Sequence, residues 1–237
     1  MLSERLETMR TRVRNREMAK WRQPAAPDVL AECERENLSW PRRVARLTRR
    51  QCEAETPVIE AGDRIAFIRT VPEVPPIYSA ADWAALYLDR KAHELGPISN
   101  ICADWGLLLS QGLLGRKRAA LEARERLSGD AEAVEFLDCA VETIDAVLDL
   151  AARYANEANR LGRPDLAAIL DRVPAEPART FHEALQSFRL AHAVVWLSGH
   201  YHVGLGRFDQ YMWPYLEADL AGGRLTEDDA EELLAEF

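Results

Sequence analysis

The sequence predicts a mainly α-helical protein with one short β-hairpin. Three observations carry this. Apolar residues recur at steps of three and four, above all Val134, Leu137, Val141, Ile144, Leu148, Ala151, Ala155 and Ala158, which is the period of a helix face. Thr180 with Glu183 has the spacing of a capping box, which satisfies free N–H groups in a first helical turn, and Ser79 with Asp82 and Thr226 with Asp229 mark two further helix starts. Strand-like composition occurs clearly once, where Val58-Ile59 and Ile65–Ile68 flank Gly62-Asp63.

The elements follow in chain order. Residues 2–22 are helix-prone and charged, and Pro24 and Pro27 break them. A helix from about Pro41 to Ala54 begins with a proline suited to a first turn. The hairpin signal spans Thr56–Thr70, and the Pro-rich stretch Val71–Ile77 is an extended connector. Ser79 starts a helix that Gly96-Pro97 stops. Asp104 caps a short helix ending near Gly112 or Gly115, and Arg116–Leu127 forms a charged helix turned by Ser128-Gly129-Asp130. The long amphipathic helix follows and is ended by Gly162 and Pro164. Thr180 opens a helix carrying Phe181, Leu185, Phe188, Ala191 and Val195, and Thr226 opens a last one. Leu233, Leu234 and Phe237 then form an apolar seam, expected to pair with another polypeptide or with a second copy. Pro214 is expected to kink or delay any helix through the aromatic run Phe208, Tyr211, Trp213 and Tyr215, rings expected to fill an interior.

Composition narrows the class. Apolar residues are 48% and charged residues 29% of 237, and no apolar run is long enough to span a membrane. With no apolar leader signal, a cytoplasmic protein is expected. Net charge is −9, yet residues 1–50 hold 13 Lys/Arg against 7 Asp/Glu. No aromatic platform or Gly-rich loop accompanies these arginines, so we read solvated helix faces, with Val44 and Leu47 on the apolar side, and expect no nucleic acid. Cys33, Cys52, Cys102 and Cys139 form no Cys-x-x-Cys pair and read as buried reduced thiols.

Three blocks toward the C-terminus carry more information. Val173-Pro174 leads through Pro177-Ala178-Arg179-Thr180-Phe181 to Glu183-Ala184-Leu185-Gln186. Gly206-Arg207-Phe208-Asp209-Gln210-Tyr211 runs on to Pro214-Tyr215. Leu225-Thr226 precedes Ala230 in an acidic helix. In this order and spacing they resemble the glycyl radical enzymes, the pyruvate formate-lyase and glycerol/diol dehydratase superfamily. Ser99-Asn100-Ile101-Cys102-Ala103-Asp104-Trp105, followed by Gly112-Leu113-Leu114-Gly115, resembles that family's G-H-x-x-P-D-Y segment.

The resemblance implies the N-terminal helical portion of a ten-stranded β/α barrel. It begins at about Glu36 and implies a partial pyruvate formate-lyase-like domain over 36–237, while residues 1–35 read by their charge as a basic helical N-terminal arm. The family's radical-bearing cysteine and glycine loops are not among these residues, so no catalytic residue is assigned and the chain is expected to be inactive alone, as a split subunit or truncated form in anaerobic metabolism. A second chain carrying the other barrel half is the implied partner. A glycyl radical installed there by a radical-SAM activase is the implied cofactor chemistry, and no cofactor or metal site is assigned here. A stand-alone helical binding or regulatory protein is the alternative.

Asn100 stands where family dehydratases present His. Together with Asp104 it is the substrate-pocket candidate, orienting a substrate without titrating. Arg207, Asp209, Gln210 and Tyr211 are expected to form a structural framework with a buried charge pair. Cys102 lacks an adjacent base or cation and reads as a small packing residue. His192 reads as a hydrogen-bonded interior or boundary residue, and His200 and His202 as loop residues rather than a metal pair.

Overall fold

The structure, a computed structural model, describes residues 3–23, 28–90, 101–200 and 202–237. Among them the helices are α1 (Glu4–Arg14), α2 (Val29–Arg35), α3 (Trp40–Ala54), α4 (Ala80–Leu88), α5 (Trp105–Arg126), α6 (Ala131–Arg160), α7 (Pro164–Leu170), α8 (Phe181–Leu197), α9 (Phe208–Ala221) and α10 (Glu227–Glu236). The capping boxes at Ser79 and Thr226 are complete. At Thr180 only half of the box forms: the hydroxyl accepts from the Glu183 N–H, while the Glu183 carboxylate reaches Arg179 N at 2.8 Å. The opening helix is shorter than 2–22, because Arg16 turns left-handed at φ 55° and a 3-10 turn, Glu17–Trp21, follows. Pro24, Pro27, Gly96 and Pro97 lie outside the described residues.

α8 is the axis of the molecule. Leu190, Val194 and Leu197 join a core built with α6, α7 and Cys52 of α3. Phe181, Ala184, Leu185 and Phe188 join a second core with the start of α5, Met212 of α9, and Ala230 and Leu233 of α10. A helix buried on both sides must be apolar nearly all round; its buried polar residues, Glu183, Gln186 and Ser187, therefore need partners.

α6 confirms the predicted helix but not all of its predicted face. Ala151, Ala155 and Ala158 are buried, whereas Val134, Leu137, Val141, Ile144 and Leu148 are only half-buried. The buried stripe runs instead through Cys139, Ala146, Val147, Leu150 and Tyr154. α6 is flanked by both α3 and α5, so its first half shelters two sides partially.

The β-hairpin is not formed. The turn at Gly62-Asp63 exists, with Asp63 N–H donating to Glu60 O at 3.1 Å, but no strand occurs among the described residues. Side chains hold the segment instead. Gln186 accepts from Ala66 N at 2.7 Å and donates to Ala66 O at 3.0 Å. Glu236 accepts from Arg64 N and Ile65 N, both at 2.7 Å. Glu55 accepts from Thr70 N and Val71 N, and the Tyr154 hydroxyl donates to Ile68 O. Backbone groups already satisfied by helix side chains leave little for strand pairing.

The terminal seam is also mostly covered. Leu233 is fully buried, and Phe237 packs on Phe188 and Phe208 with ring centroids 5.5 and 5.6 Å away. Only Leu234 of the three is exposed. The N-terminal arginines are engaged rather than simply solvated: Arg5 pairs with Glu232 and Glu236, Arg12 with Glu60, and Arg46 and Arg50 with Glu32. Hydrogen bonding from Arg50, aided by both positive charges, pulls Glu32 down to about 2. No helix among the described residues is long and apolar enough to cross a membrane.

Candidate functional site

Two motif blocks about a hundred residues apart in sequence meet on one face. Ile101 and Val203 form an isolated parallel bridge, with Gly204 N–H donating to Ile101 O at 2.8 Å. The Trp105 indole donates to Gly204 O at 3.0 Å, and the Tyr211 hydroxyl donates to Leu205 O at 2.7 Å. Gly206 has φ +64°, and a Cβ there would stand 2.7 Å from Cys102 Sγ. Glycine is thus required by both backbone and neighbour.

The block that opens at Val173-Pro174 packs against the same helix, α5. At Gly112, φ 64° and ψ 169° kink α5. The loop from Pro174 to Ala178 lies in that kink, with Leu113 N donating to Pro174 O, Leu114 N to Ala175 O and Ala178 N to Leu109 O. The first part of α5 therefore ends at Gly112, as its sequence suggests. Asp219, 3% exposed, accepts from Phe181 N at 2.7 Å and from Arg224 Nε at 2.7 Å, tying the start of α8 to the end of α9. α9 runs through Pro214 without a break.

The shelf rests on aromatic rings. Phe188 lies 4.6 Å from Trp105 and 6.1 Å from Tyr211, centroid to centroid. His192 stacks on Phe188 at 5.5 Å, and its Nε2 lies 3.3 Å from Val203 O. Burial lowers the His192 pKa and raises that of Tyr211, so both favour their neutral forms at neutral pH.

The sequence candidates are distributed as follows. Asn100 lies outside the described residues. Asp104 is exposed and caps α5, accepting from Leu107 N at 2.9 Å. Gln210 is exposed at the start of α9 and Tyr211 is half-buried. Arg207 and Asp209 pair at 2.8 Å, but their side chains are 67% and 68% exposed. They form a surface fork at the start of α9 and not a buried pair: the guanidinium bonds both oxygens of the Asp209 carboxylate and both groups stay open to solvent. Cys102 is exposed, while Cys33, Cys52 and Cys139 are buried. Its thiol abuts Gly206 but is not enclosed. His202 is an exposed loop residue, and His200 is also in the loop, half-buried. Among the described residues no cluster of three His, Cys, Asp or Glu could hold a metal ion.

The arrangement offers a rigid shelf of backbone and hydroxyl groups. Among the described residues the Cys102 thiol is bonded to no base; its hydrogen bond goes to Ala103 O at 3.6 Å. Sequence reasoning missed the tying roles of Gln186, Asp219 and Trp105. A polar residue in an apolar helix stripe, as at Gln186, was the signal available.

Residues 84–237 match the family described as pyruvate formate lyase-like. The chain is 36% identical over 149 residues to an isethionate sulfite-lyase of Nitratidesulfovibrio vulgaris, covering 55% of this chain and 18% of that protein. It is 34% identical over 116 residues to an indoleacetate decarboxylase of Tractidigestivibacter scatoligenes, covering 44% and 13%. It is 27% identical over 176 residues to a trans-4-hydroxy-L-proline dehydratase of Clostridioides difficile, covering 65% and 22%. The matched residues thus span between 13% and 22% of the length of these relatives. Among solved structures, the B12-independent glycerol dehydratase of Clostridium butyricum in its glycerol-bound form superposes with a TM-score of 0.79 at 20% identity, over 98% of this chain and 38% of that one. A glycyl radical enzyme from Archaeoglobus fulgidus superposes with a TM-score of 0.73 at 18% identity, over 98% and 39%.

Proposed function

The chain belongs to the pyruvate formate lyase-like family of glycyl radical enzymes, and from that premise we propose that it forms the N-terminal helical portion of a radical lyase or dehydratase acting on a small polar substrate. The relatives named above are a sulfite-lyase, a decarboxylase and a dehydratase, so the class is cleavage of one carbon–heteroatom or carbon–carbon bond. We place the thiyl cysteine and the glycyl radical on polypeptide outside these 237 residues, in a cytoplasmic assembly served by a radical-SAM activase. That polypeptide would be a second chain or the rest of a longer one.

The observation that supports this most is the convergence of the 101–105 and 203–211 blocks on one shelf. In this reading Asn100, adjoining that bridge in sequence, orients a substrate hydroxyl or carbonyl through its amide. It adds no titration near neutrality, unlike an imidazole. Asp104 fixes the helix start beside it, and Arg207, Asp209, Gln210 and Tyr211 form the rim against which the remaining polypeptide sits.

The test is anaerobic reconstitution with a polypeptide carrying the cysteine and glycine loops, an activase and S-adenosylmethionine. A glycyl doublet by electron paramagnetic resonance, with turnover, is expected only when both parts are present. Asn100→Ala should then weaken substrate affinity, while the wild-type pH profile shows no added group from this position. A glycyl doublet arising on this chain alone would overturn the proposal. Failure to associate with any such polypeptide would instead favour a stand-alone helical protein.

A further inference from the structure

A cavity of about 550 Å³ lies between α1, residues 63–69 and the end of α10. It uses none of the motif-block residues of the shelf. Leu6, Met9 and Val13 of α1 line it together with Ile65 and Phe67, Arg189 of α8 lies in its wall, and four further arginines of α1 and residues 63–69 border it. Its size falls within the usual range for small-molecule sites, and such sites combine apolar walls with a few placed polar groups.

Arg189 is the informative residue. A guanidinium carries five N–H donors, and the bond recorded for this one is a single contact to Phe67 O at 3.3 Å. Among the described residues no carboxylate pairs with it. Glu236, on the same wall, is already taken by Arg5, Arg64 N and Ile65 N. Asp63 accepts from Glu60 N at 2.8 Å. The Glu236 charge reaches Arg189 only through space; a sheltered cation with no carboxylate bonded to it is costly, and an anion supplied by a ligand lowers that cost.

We propose that this cavity binds a small amphiphile, a carboxylate head on Arg189 with its apolar chain along Leu6, Met9, Val13 and Phe67. The geometry favours a carboxylate because a planar guanidinium matches its two oxygens. The apolar walls favour an alkyl body over a sugar or nucleotide.

The test titrates octanoate into the 237-residue chain by calorimetry, with octanol and acetate as probes lacking the charge or the chain. Saturable one-to-one binding of octanoate is expected, with octanol and acetate each at least about tenfold weaker, in line with the loss of a charge-assisted bond or of apolar burial. Arg189→Met should weaken octanoate to the level of octanol. Val13 is 67% exposed, so Val13→Glu should fold normally and weaken octanoate by repulsion at the rim. Octanol binding as tightly as octanoate would overturn the role of Arg189, and acetate doing so would overturn that of the walls. No saturable octanoate binding to the wild type, or unchanged binding in Val13→Glu, would overturn the site.

Discussion

Asp63 shows how one side chain can carry a pH response. It is 5% exposed, and burial together with the negative charge of Glu236 pushes its pKa up to about 6 despite Arg12, Arg163 and Arg5 nearby. A carboxyl whose folded pKa exceeds its unfolded value binds more protons in the native state, so its contribution to stability falls as pH rises from about 4 to about 6. Asp63→Asn removes this ionisation but keeps an acceptor for Glu60 N. The variant should match wild type in urea unfolding near pH 4 and exceed it by roughly 2–3 kcal/mol at pH 7. Equal destabilisation at both pH values would show that the carboxylate is needed for packing. The Arg207–Asp209 pair lies at the other extreme, since fully solvated pairs add little to stability. Sequence pattern found both residues but could not give their exposure, because burial at a helix start depends on which element crosses it. For His192 the apolar face of α8 was enough to indicate a boundary position.

Helices were largely legible because their signals are local: an apolar period, a cap and a stop. Thr226 and Asp229 alone indicate where α10 begins. The hairpin misread has the opposite cause, since the partners of residues 56–71 come from positions far away in sequence and period-two composition is blind to them. The face of α6 was misjudged for a related reason, as two neighbours share its first half. The kink in α5 offers a direct test at this scale. An alanine at Gly112 would require φ +64° and place its Cβ 2.5 Å from Glu176 C and still closer to Ala175 O. Both backbones would have to move, costing about 3 kcal/mol or more. Gly112→Ala should therefore lower the melting temperature strongly and loosen the Pro174–Ala178 loop to protease. An unchanged melt would mean that the two halves of α5 are not fixed by this crossing.

Across the whole molecule, the uneven charge of the sequence becomes a set of internal ion pairs. α1 and the turn after it are tied to the acidic body through Arg5, Arg12 and Lys20, the last meeting Glu60 at 2.7 Å. Surface and half-buried pairs weaken as salt shortens the Debye length to about 3 Å at 1 M. Trypsin cleavage around Arg14 and Arg16 should accordingly accelerate with salt, relative to an unstructured reference peptide. A rate independent of salt would show that apolar contacts of Leu6 hold α1 in place. Family membership was legible from three short blocks, whereas their meeting on one shelf needed the fold, because α5 and α9 are brought together by α8. The side-chain anchoring of residues 56–71 bears on how this chain can change over evolutionary time. A strand in a sheet can shift by two residues and find equivalent partners. Here Glu55, Tyr154, Gln186 and Glu236 each hold backbone groups at one fixed place along the segment. Adding or deleting a single residue between them would put every later anchor out of step, so substitutions should accumulate in this stretch far more readily than changes in its length.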